Sequence, residues 1–357
     1  MKFNSINDFA NYVKEDISKY FSDYNIAEIV VSEVNKNNTS LVGLSVHTVD
    51  TNVAPTIYIE SAYEKILDGQ DLNTVIEDLA DAFKSHLDNP IPSFDINNIT
   101  NFEKVKDNIT TYVVNIDSNK DFLKNKAYIP LGDLALGFKI NCNDFGFIPN
   151  GDSAIIKVTT ELLDTWKIGT SDLKIIAQDN EAKSAQFKPM YAVLGEIMGF
   201  DEESAKGMFG DMPMFVLTND SKTNAAGLIF NDFVMQNVCE KLGDNAVILP
   251  SSVHEVIILP ADTLDEKSRN ELLDMVISVN ANEVAPEDRL SNNVYAYDAA
   301  SHHFMTLDKY MSIKDISRDT VDLGKDSLVG RLNSHTAMVN DSNPSKDVKE
   351  HNVEQSL

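Results

Sequence analysis

The sequence predicts an α+β fold with mixed, largely antiparallel sheets and flanking helices. A helix, a hairpin and a helix pair come first, and strands then alternate irregularly with helices. Two short strand–strand spacings, within residues 214–230 and 246–259, fit hairpins better than βαβ crossovers. The most apolar run, residues 245–260, has a polar corner at its centre and predicts two buried strands joined by a tight turn.

Length and charge limit the functions that this chain can have. It has 357 residues, 43% of them hydrophobic, which is enough for a sizeable core and for two subdomains. Its 56 acidic and 30 basic side chains give a formal net charge of −26, so direct binding to nucleic acid or to an anionic membrane is not expected. Such a charge usually keeps a surface soluble through self-repulsion. Acidic mimicry of DNA also stays open.

The cysteine content and the N-terminus favour a reduced, cytoplasmic protein. Only Cys142 and Cys239 occur, and neither belongs to a CxxC motif or to a cluster of cysteine and histidine. No apolar run approaches the roughly 20 residues that a membrane span needs. Residues 1–8 are amphipathic and acidic and lack the apolar segment of a signal peptide.

Hydrophobic periodicity predicts the elements of the N-terminal half in order. The first helix is capped by Ser5 or Asn4, and the next two helices end at Gly69 and Pro90. The predicted helices are residues 6–21, 59–67, 72–87, 161–166 and 172–182. The predicted strands are residues 28–34, 40–49, 109–116, 134–142 and 154–159, of which the first two form a hairpin.

The same reasoning predicts the elements of the C-terminal half. The strands are residues 214–218, 225–230, 246–249, 254–259, 293–297 and 303–306. The helices are residues 233–242, capped by Asn231 or Asp232, and a segment around residues 272–279. We interpret the Met-rich stretch 187–213 as core rather than as an adaptable binding surface, because methionine most often fills gaps in a core.

The chain divides into two predicted subdomains and a tail. Residues 1–150 form an N-terminal α+β subdomain, and residues 151–307 form a C-terminal α+β subdomain that contains the polar corner. Residues 308–357 are predicted to be a largely disordered polar tail, because they cannot bury enough apolar surface to offset their chain entropy. Within the tail, a docked short helix and a solvated segment are both open for residues 326–332.

The polar corner contains the candidates for catalysis, which are Ser251, Ser252, His254 and Glu255. These residue types can supply a nucleophile, a base and an orienting carboxylate. On a strand, Ser252 and His254 point to one face and Glu255 to the other, so the acid of a relay would come from elsewhere. No GxSxG motif is present. In the structural alternative, the serines cap a turn, His254 is a hydrogen-bonded histidine at a strand start, and Glu255 is solvated or paired.

A second group of polar residues lies at a predicted strand end and is a candidate for binding. It consists of Thr218, Asn219 and Asn224, although asparagine-rich corners usually reflect turn geometry. His302 and His303 are adjacent and face opposite ways on a strand, so no metal site is predicted. The sequence has no P-loop, no dinucleotide glycine fingerprint and no EF-hand, so no cofactor is predicted.

A resemblance to a known family covers roughly residues 25–300. Its most specific part is the Pro-Ser-Ser-x-His-Glu sequence of residues 250–255. Further matching positions are residues 55–60, 63, 69, 133–135, 162–166, 215–219, 225–227, 275–276, 279–280, 290–291 and 294–295. On these residues the chain resembles the bacterial family called domain of unknown function 5688. The polar loop 220–224 and Ala226 depart from the expected pattern and put the local turn in doubt.

The resemblance implies a bacterial, cytoplasmic protein, and it implies no activity, cofactor or catalytic residue. We predict a non-catalytic module that binds another protein through its acidic surface or its C-terminal tail, because the chain has no recognisable catalytic motif, a strongly negative charge and a polar C-terminal extension. A hydrolase with His254 as base and Ser251 or Ser252 as nucleophile is the alternative. A third possibility is an acidic DNA-mimic inhibitor, which needs Asp and Glu spaced along one face.

Overall fold

Three antiparallel sheets with flanking helices form the part of the chain that the computed structural model describes. That part comprises residues 2–91, 93, 95–142, 155–210, 212–250, 252–264 and 266–314. The sheets have three, four and six strands, and the strand pairings within these ranges are antiparallel. The predicted α+β fold class is therefore confirmed.

The N-terminal sheet shares one core with three helices. The elements are α1 (Ile6–Ile17), β1 (Ile26–Lys36), β2 (Thr39–Thr48), β3 (Thr56–Tyr58), α2 (Glu60–Leu67) and α3 (Leu72–Leu87). Ser5 caps α1, since its hydroxyl accepts a hydrogen bond from the Asp8 N–H at 3.1 Å. Phe9, Leu44 and Phe83 are fully buried between the helices and the sheet. The predicted hairpin and helix pair are confirmed, whereas β3 was not predicted.

The central sheet is organised around one strand, β6. Its elements are α4 (Ile96–Thr100), α5 (Phe102–Val105), β4 (Ile109–Asn115), α6 (Lys120–Leu123), β5 (Tyr128–Leu131), β6 (Leu134–Asn141), β7 (Ile155–Lys157), α7 (Thr160–Trp166) and α8 (Thr170–Ala182). β6 pairs with β4 along one edge and with β5 and β7 along the other. The subdomain boundary predicted near residue 150 falls in residues 143–154, outside the described residues, and stays a prediction.

The third sheet contains the apolar run that dominates the sequence. Its elements are β8 (Ala185–Pro189), α9 (Met190–Met198), α10 (Glu202–Phe209), β9 (Phe215–Asn219), α11 (Asp232–Leu242), β10 (Ala246–Leu249), β11 (Val256–Pro260), α12 (Glu266–Asn282), β12 (Tyr295–Asp298), β13 (His303–Thr306) and α13 (Leu307–Lys314). The strand order is β13–β12–β10–β11–β9–β8. β10 and β11 are paired at the centre as predicted, and β8 is an edge strand.

The strand predicted at residues 225–230 is wrong. Ala226–Phe230 form a 3₁₀ helix in which all five residues are buried. A short, continuous apolar run fits a buried helix as well as a buried strand, so periodicity could not separate the two. Gly227 makes this packing possible, because a Cβ atom there would lie 2.0 Å from the Thr111 hydroxyl oxygen on β4. The predicted hairpin over residues 214–230 is consequently absent.

The Met-rich stretch is only partly core. Met212 is buried in the third sheet's core, as predicted. Met198 and Met208 are instead exposed, so the core prediction is wrong for them. The α9–α10 pair follows edge strand β8, and the residues around the connection between the two helices are exposed.

Two further findings concern the tail and membranes. The predicted tail begins inside α13, where Leu307 and Tyr310 are buried. Residues 315–357, including the 326–332 patch, lie outside the described residues. Within the described ranges, no helix combines the length and the apolar composition that crossing a membrane requires.

We expect Gly227→Ala to lower the free energy of unfolding by about 2–3 kcal/mol, the usual scale for overpacking a core. The new methyl group would displace Thr111, whose hydroxyl donates to the buried Glu181 carboxylate at 2.8 Å. Gly207→Ala is the matched control, because nothing lies within 4 Å of a Cβ atom there. It should stabilise α10 by about 0.5–1 kcal/mol. Urea unfolding of both variants measures this, and equal effects would contradict the packing argument.

Candidate functional site

Most of the sequence-predicted site residues meet at one polar corner of the third sheet. We define the His254 corner as Thr218, Asn224, Ser252, His254, Glu255 and Asp288. It lies where the chain passes from β10 to β11, beside the end of β9 and the turn Pro286–Asp288. Members of both sets of candidates, for catalysis and for binding, thus lie together, although Asn219 does not belong to this corner. Ser251 lies outside the described residues.

Both ring nitrogens of His254 have partners. Nδ1 accepts a hydrogen bond from the Asn224 N–H at 3.2 Å. Nε2 lies 3.0 Å from Asp288 Oδ1. Because a backbone N–H only donates, Nδ1 carries no proton, and the neutral tautomer donates from Nε2 to Asp288. His254 therefore joins two loops through its ring.

Ser252 has a buried hydroxyl that holds the turn between the two strands. It donates to Glu255 Oε1 at 2.8 Å and accepts from the N–H groups of His254 at 3.0 Å and Glu255 at 3.3 Å. The expectation that Glu255 faces away from Ser252 is wrong, since β11 begins only at Val256 and the preceding residues form a turn. The observed bonds join the serine to Glu255 rather than to the His254 ring.

Main-chain contacts make the His254 corner part of the framework. The carbonyl oxygen of His254 accepts from the Ala225 N–H at 3.2 Å and from the Thr218 hydroxyl at 3.3 Å. The Val253 N–H donates to the Asp288 carbonyl at 2.9 Å. Thr218 therefore positions the main chain of the corner. Asn219 closes its own turn by accepting from the Thr223 N–H at 3.2 Å, and it stands apart from the corner.

Asparagine side chains from the N-terminal hairpin hold the turn that carries Asp288. Asn37 donates to the Glu287 carbonyl at 2.6 Å, and Asn38 donates to the Arg289 carbonyl at 2.7 Å. Asn119 is buried, and it donates to Asn38 Oδ1 and accepts from the Asn38 N–H, both at 2.8 Å. Residues 35–38 were predicted only as a hairpin turn. Contacts across some 250 residues leave no mark in local sequence.

Asp133 connects the central sheet to the third sheet. Its carboxylate accepts hydrogen bonds from Ser291 at 2.9 Å, from Asn293 at 2.9 Å and from the Tyr295 hydroxyl at 2.8 Å. Burial raises the pKa of Tyr295, so its hydroxyl remains a donor. Together with the asparagines, these bonds place the three sheets around the His254 corner.

The residues that could react or bind a metal are held in separate places. In the described part of the chain, no group of three or more His, Cys, Asp or Glu side chains could hold a metal ion. His302 Nδ1 lies 2.8 Å from Asp232 Oδ2, whereas His303 Nδ1 bonds the Ser301 carbonyl. Burial raises the pKa of the Cys142 and Cys239 thiols to about 11, which disfavours the reactive thiolate.

These observations define an α+β protein with a hydrogen-bonded histidine corner between antiparallel sheets. The chain belongs to DUF5688, a family of unknown function, whose model matches residues 6–299. The resemblance inferred from the sequence is thereby confirmed, and the match begins earlier than residue 25. No curated protein and no solved structure matches the chain.

We expect His254→Ala to lower the free energy of unfolding by about 1–2 kcal/mol. It removes both ring hydrogen bonds and leaves the Asn224 N–H and the Asp288 carboxylate without their partner. His86→Ala, on α3, serves as a histidine control and should change stability by less than about 0.5 kcal/mol. Chemical denaturation measures both, and a His254 variant as stable as the control would show that the ring does not join the loops.

Proposed function

We propose that the protein is a non-catalytic, cytoplasmic module that binds another protein through the connection between α9 and α10. We define the hairpin tip as residues 197–200. Ile197 is 73% exposed, Met198 is 41% exposed and Phe200 is 37% exposed. Three large apolar side chains exposed within four residues carry this proposal, because grouped rather than scattered apolar exposure is typical of interaction sites.

The hairpin tip is held in a defined conformation by the packing beneath it. Gly199 adopts a φ of 76° at the end of α9, which glycine tolerates better than other residues. The Phe200 N–H donates to the Gly195 carbonyl at 2.9 Å. A Cβ atom at Gly195 would lie 2.6 Å from the Ala205 Cβ, so only glycine lets the helices approach this closely. Little conformational entropy is lost when such a preordered surface binds.

Acidic residues follow the hairpin tip and indicate the charge of the partner. Asp201, Glu202 and Glu203 are all exposed at the start of α10. Asp201 accepts from the Ser204 N–H at 2.9 Å, and this hydrogen bond holds the pKa of Asp201 below its ordinary value. The complementary partner surface is an apolar groove with Lys or Arg on its rim. Methionine in the tip can adapt to the shape of such a groove.

The formal net charge of −26 supports the same choice of partner, because it attracts basic surfaces over long distances. The C-terminal tail is the second proposed contact. The reducing compartment is supported by Cys142 and Cys239, which are both free and buried.

We expect the double variant Ile197→Ser with Phe200→Ser to weaken partner binding at least about tenfold, the effect of losing about 1.4 kcal/mol. The matched control is Ile175→Ser with Phe233→Ser, since these side chains are of the same types and are also exposed. A third version ends at Lys314 and keeps the buried Tyr310. Each protein is immobilised, incubated with extract of the source organism, and its bound proteins are quantified by mass spectrometry.

The outcomes separate the surfaces. Loss of one protein on the tip variant alone supports the hairpin tip, and its affinity is then measured with the purified pair. Equal capture by the tip variant and the control would contradict the proposal. Loss of the bound protein only in the version that ends at Lys314 would place the contact in the C-terminal tail. If DNA competes with this chain for the captured protein, the result supports the acidic DNA-mimic alternative instead of binding to an apolar groove.

A hydrolase is the second candidate, and the pair of His254 with Asp288 favours it. A carboxylate that orients a histidine is half of a catalytic relay. Catalysis would require His254 Nδ1 to release the Asn224 N–H and accept a proton from a serine hydroxyl. A panel of ester, phosphoester and amide substrates tests this. Turnover by the parent that disappears in folded His254→Ala and Ser252→Ala proteins would replace the binding proposal.

A further inference from the structure

Three lysines lie near one another at the central sheet, on strands rather than on the α9–α10 pair that carries the hairpin tip. Lys139 on β6 and Lys157 on β7 are direct cross-strand partners, so both side chains leave the sheet on the same face. Lys36, at the end of β1, is near enough to repel Lys157, and Lys157 repels Lys139. Lys139 is only 6% exposed. Like charges placed directly opposite each other destabilise a sheet. A negative charge between the lysines would remove this repulsion.

The carboxylate that attracts Lys139 is Glu181, and it is committed elsewhere. Its oxygens accept from the Thr111 hydroxyl at 2.8 and 3.1 Å. Thr110 is the residue on β4 that pairs with Lys139, so the Thr111 side chain and Glu181 belong to the opposite face of the sheet. Within the described residues, neither Lys139 nor Lys157 forms an ion pair. Lys139 and Lys157 therefore have no carboxylate in ion-pair contact there.

A buried tyrosine, Tyr112, has its ring near Lys157. The Tyr112 ring covers Gly137, where a Cβ atom would come within 2.2 Å of the ring. Tyr112 is 4% exposed, and its hydroxyl has no hydrogen-bond partner in the described part of the chain. Lys157 Nζ lies 5.9 Å from the centre of this ring and 5.3 Å from that of Phe122. A buried hydroxyl without a hydrogen bond lowers the stability of the fold, so an acceptor bound to the Tyr112 hydroxyl would stabilise the protein.

The charges of these groups support anion binding at neutral pH. Burial lowers the pKa of Lys36 to about 8, so Lys36 is mostly protonated at pH 7, and burial also lowers the pKa of Lys139, which the Glu181 carboxylate partly offsets. Burial also lowers the pKa of Lys157, and Lys126 adds a further repulsion to it. Burial raises the pKa of Tyr112, so its hydroxyl stays a donor. On this face the group therefore offers several donors, whereas the Glu181 carboxylate that attracts Lys139 is bonded to Thr111 across the sheet.

We propose that Lys139, Lys157 and Tyr112, with Lys36 at the margin, bind a compact phosphoryl oxyanion that carries two negative charges. Such an anion accepts hydrogen bonds from the phenol and from the ammonium groups at once, and it removes the repulsion between the lysines. Aromatic rings accompany the lysines, since Tyr112 and Phe122 lie near Lys157 and Tyr58 lies near Lys36. Small-molecule sites commonly combine aromatic side chains with a few convergent polar groups. The site is independent of partner binding at the hairpin tip.

The full chain is titrated with inorganic phosphate by isothermal calorimetry at constant ionic strength. A parallel titration with sodium chloride gives the comparison anion. We expect saturable binding at one site. Lys157→Met, which keeps most of the side-chain volume, should weaken binding at least about tenfold, and Tyr112→Phe should weaken it several-fold. The matched control is Lys120→Met, because Lys120 is a surface lysine paired with Asp117 at 3.0 Å. It should bind phosphate like the parent.

Thermal unfolding gives a second readout that a merely structural lysine would not produce. Without phosphate, Lys157→Met should raise the Tm, because it removes repulsion with Lys36, Lys139 and Lys126. With phosphate, the parent should gain Tm and the variant should not. The proposal is overturned if phosphate binds no better than chloride, or if Lys157→Met binds it as well as the parent. Tighter binding of succinate than of phosphate would overturn the phosphoryl assignment.

Discussion

The position of the His254 corner depends on hydrogen bonds from Asn37 and Asn38 to the turn at residues 286–289. Carbonyl groups of that turn meet the side-chain amides of a hairpin from another sheet, at 2.6 and 2.7 Å. Backbone groups away from water need partners, so the hairpin and the turn can only move together. This turn also places Asp288 against His254. These amide contacts therefore join the N-terminal sheet to the candidate site, while the Asp133 carboxylate joins the central sheet to the third sheet.

The polar groups around His254 stabilise the fold, whereas the side chains of the hairpin tip are available for binding. Around His254 the ring nitrogens and the Ser252 hydroxyl already have partners inside the chain. The hairpin tip instead leaves Ile197, Met198 and Phe200 exposed to water. Burying exposed apolar surface is favourable, so the hairpin tip can supply free energy of binding. This contrast is the reason for preferring a binding module to a hydrolase.

Local sequence was sufficient where burial follows a regular period and insufficient where distant segments meet. The face of α3 could be predicted because its apolar residues repeat at helical spacing, and the β10–β11 hairpin because a polar corner divides one long apolar run. The buried 3₁₀ helix at Ala226–Phe230 has no such period. Asp288 reaches His254 across 34 residues, a separation that no motif marks. The exposure of Met198 was equally unpredictable, since methionine is common both in cores and at binding surfaces.

The most direct measurement is site-specific photocrosslinking in living cells of the source organism. A photoreactive phenylalanine analogue replaces Phe200 in the hairpin tip or, in a separate strain, the exposed Phe233 on α11. If the hairpin tip is the binding surface, Phe200 should give one discrete adduct with another protein, and Phe233 should not give that adduct. The absence of an adduct at Phe200, or the same adducts at both positions, would contradict the account.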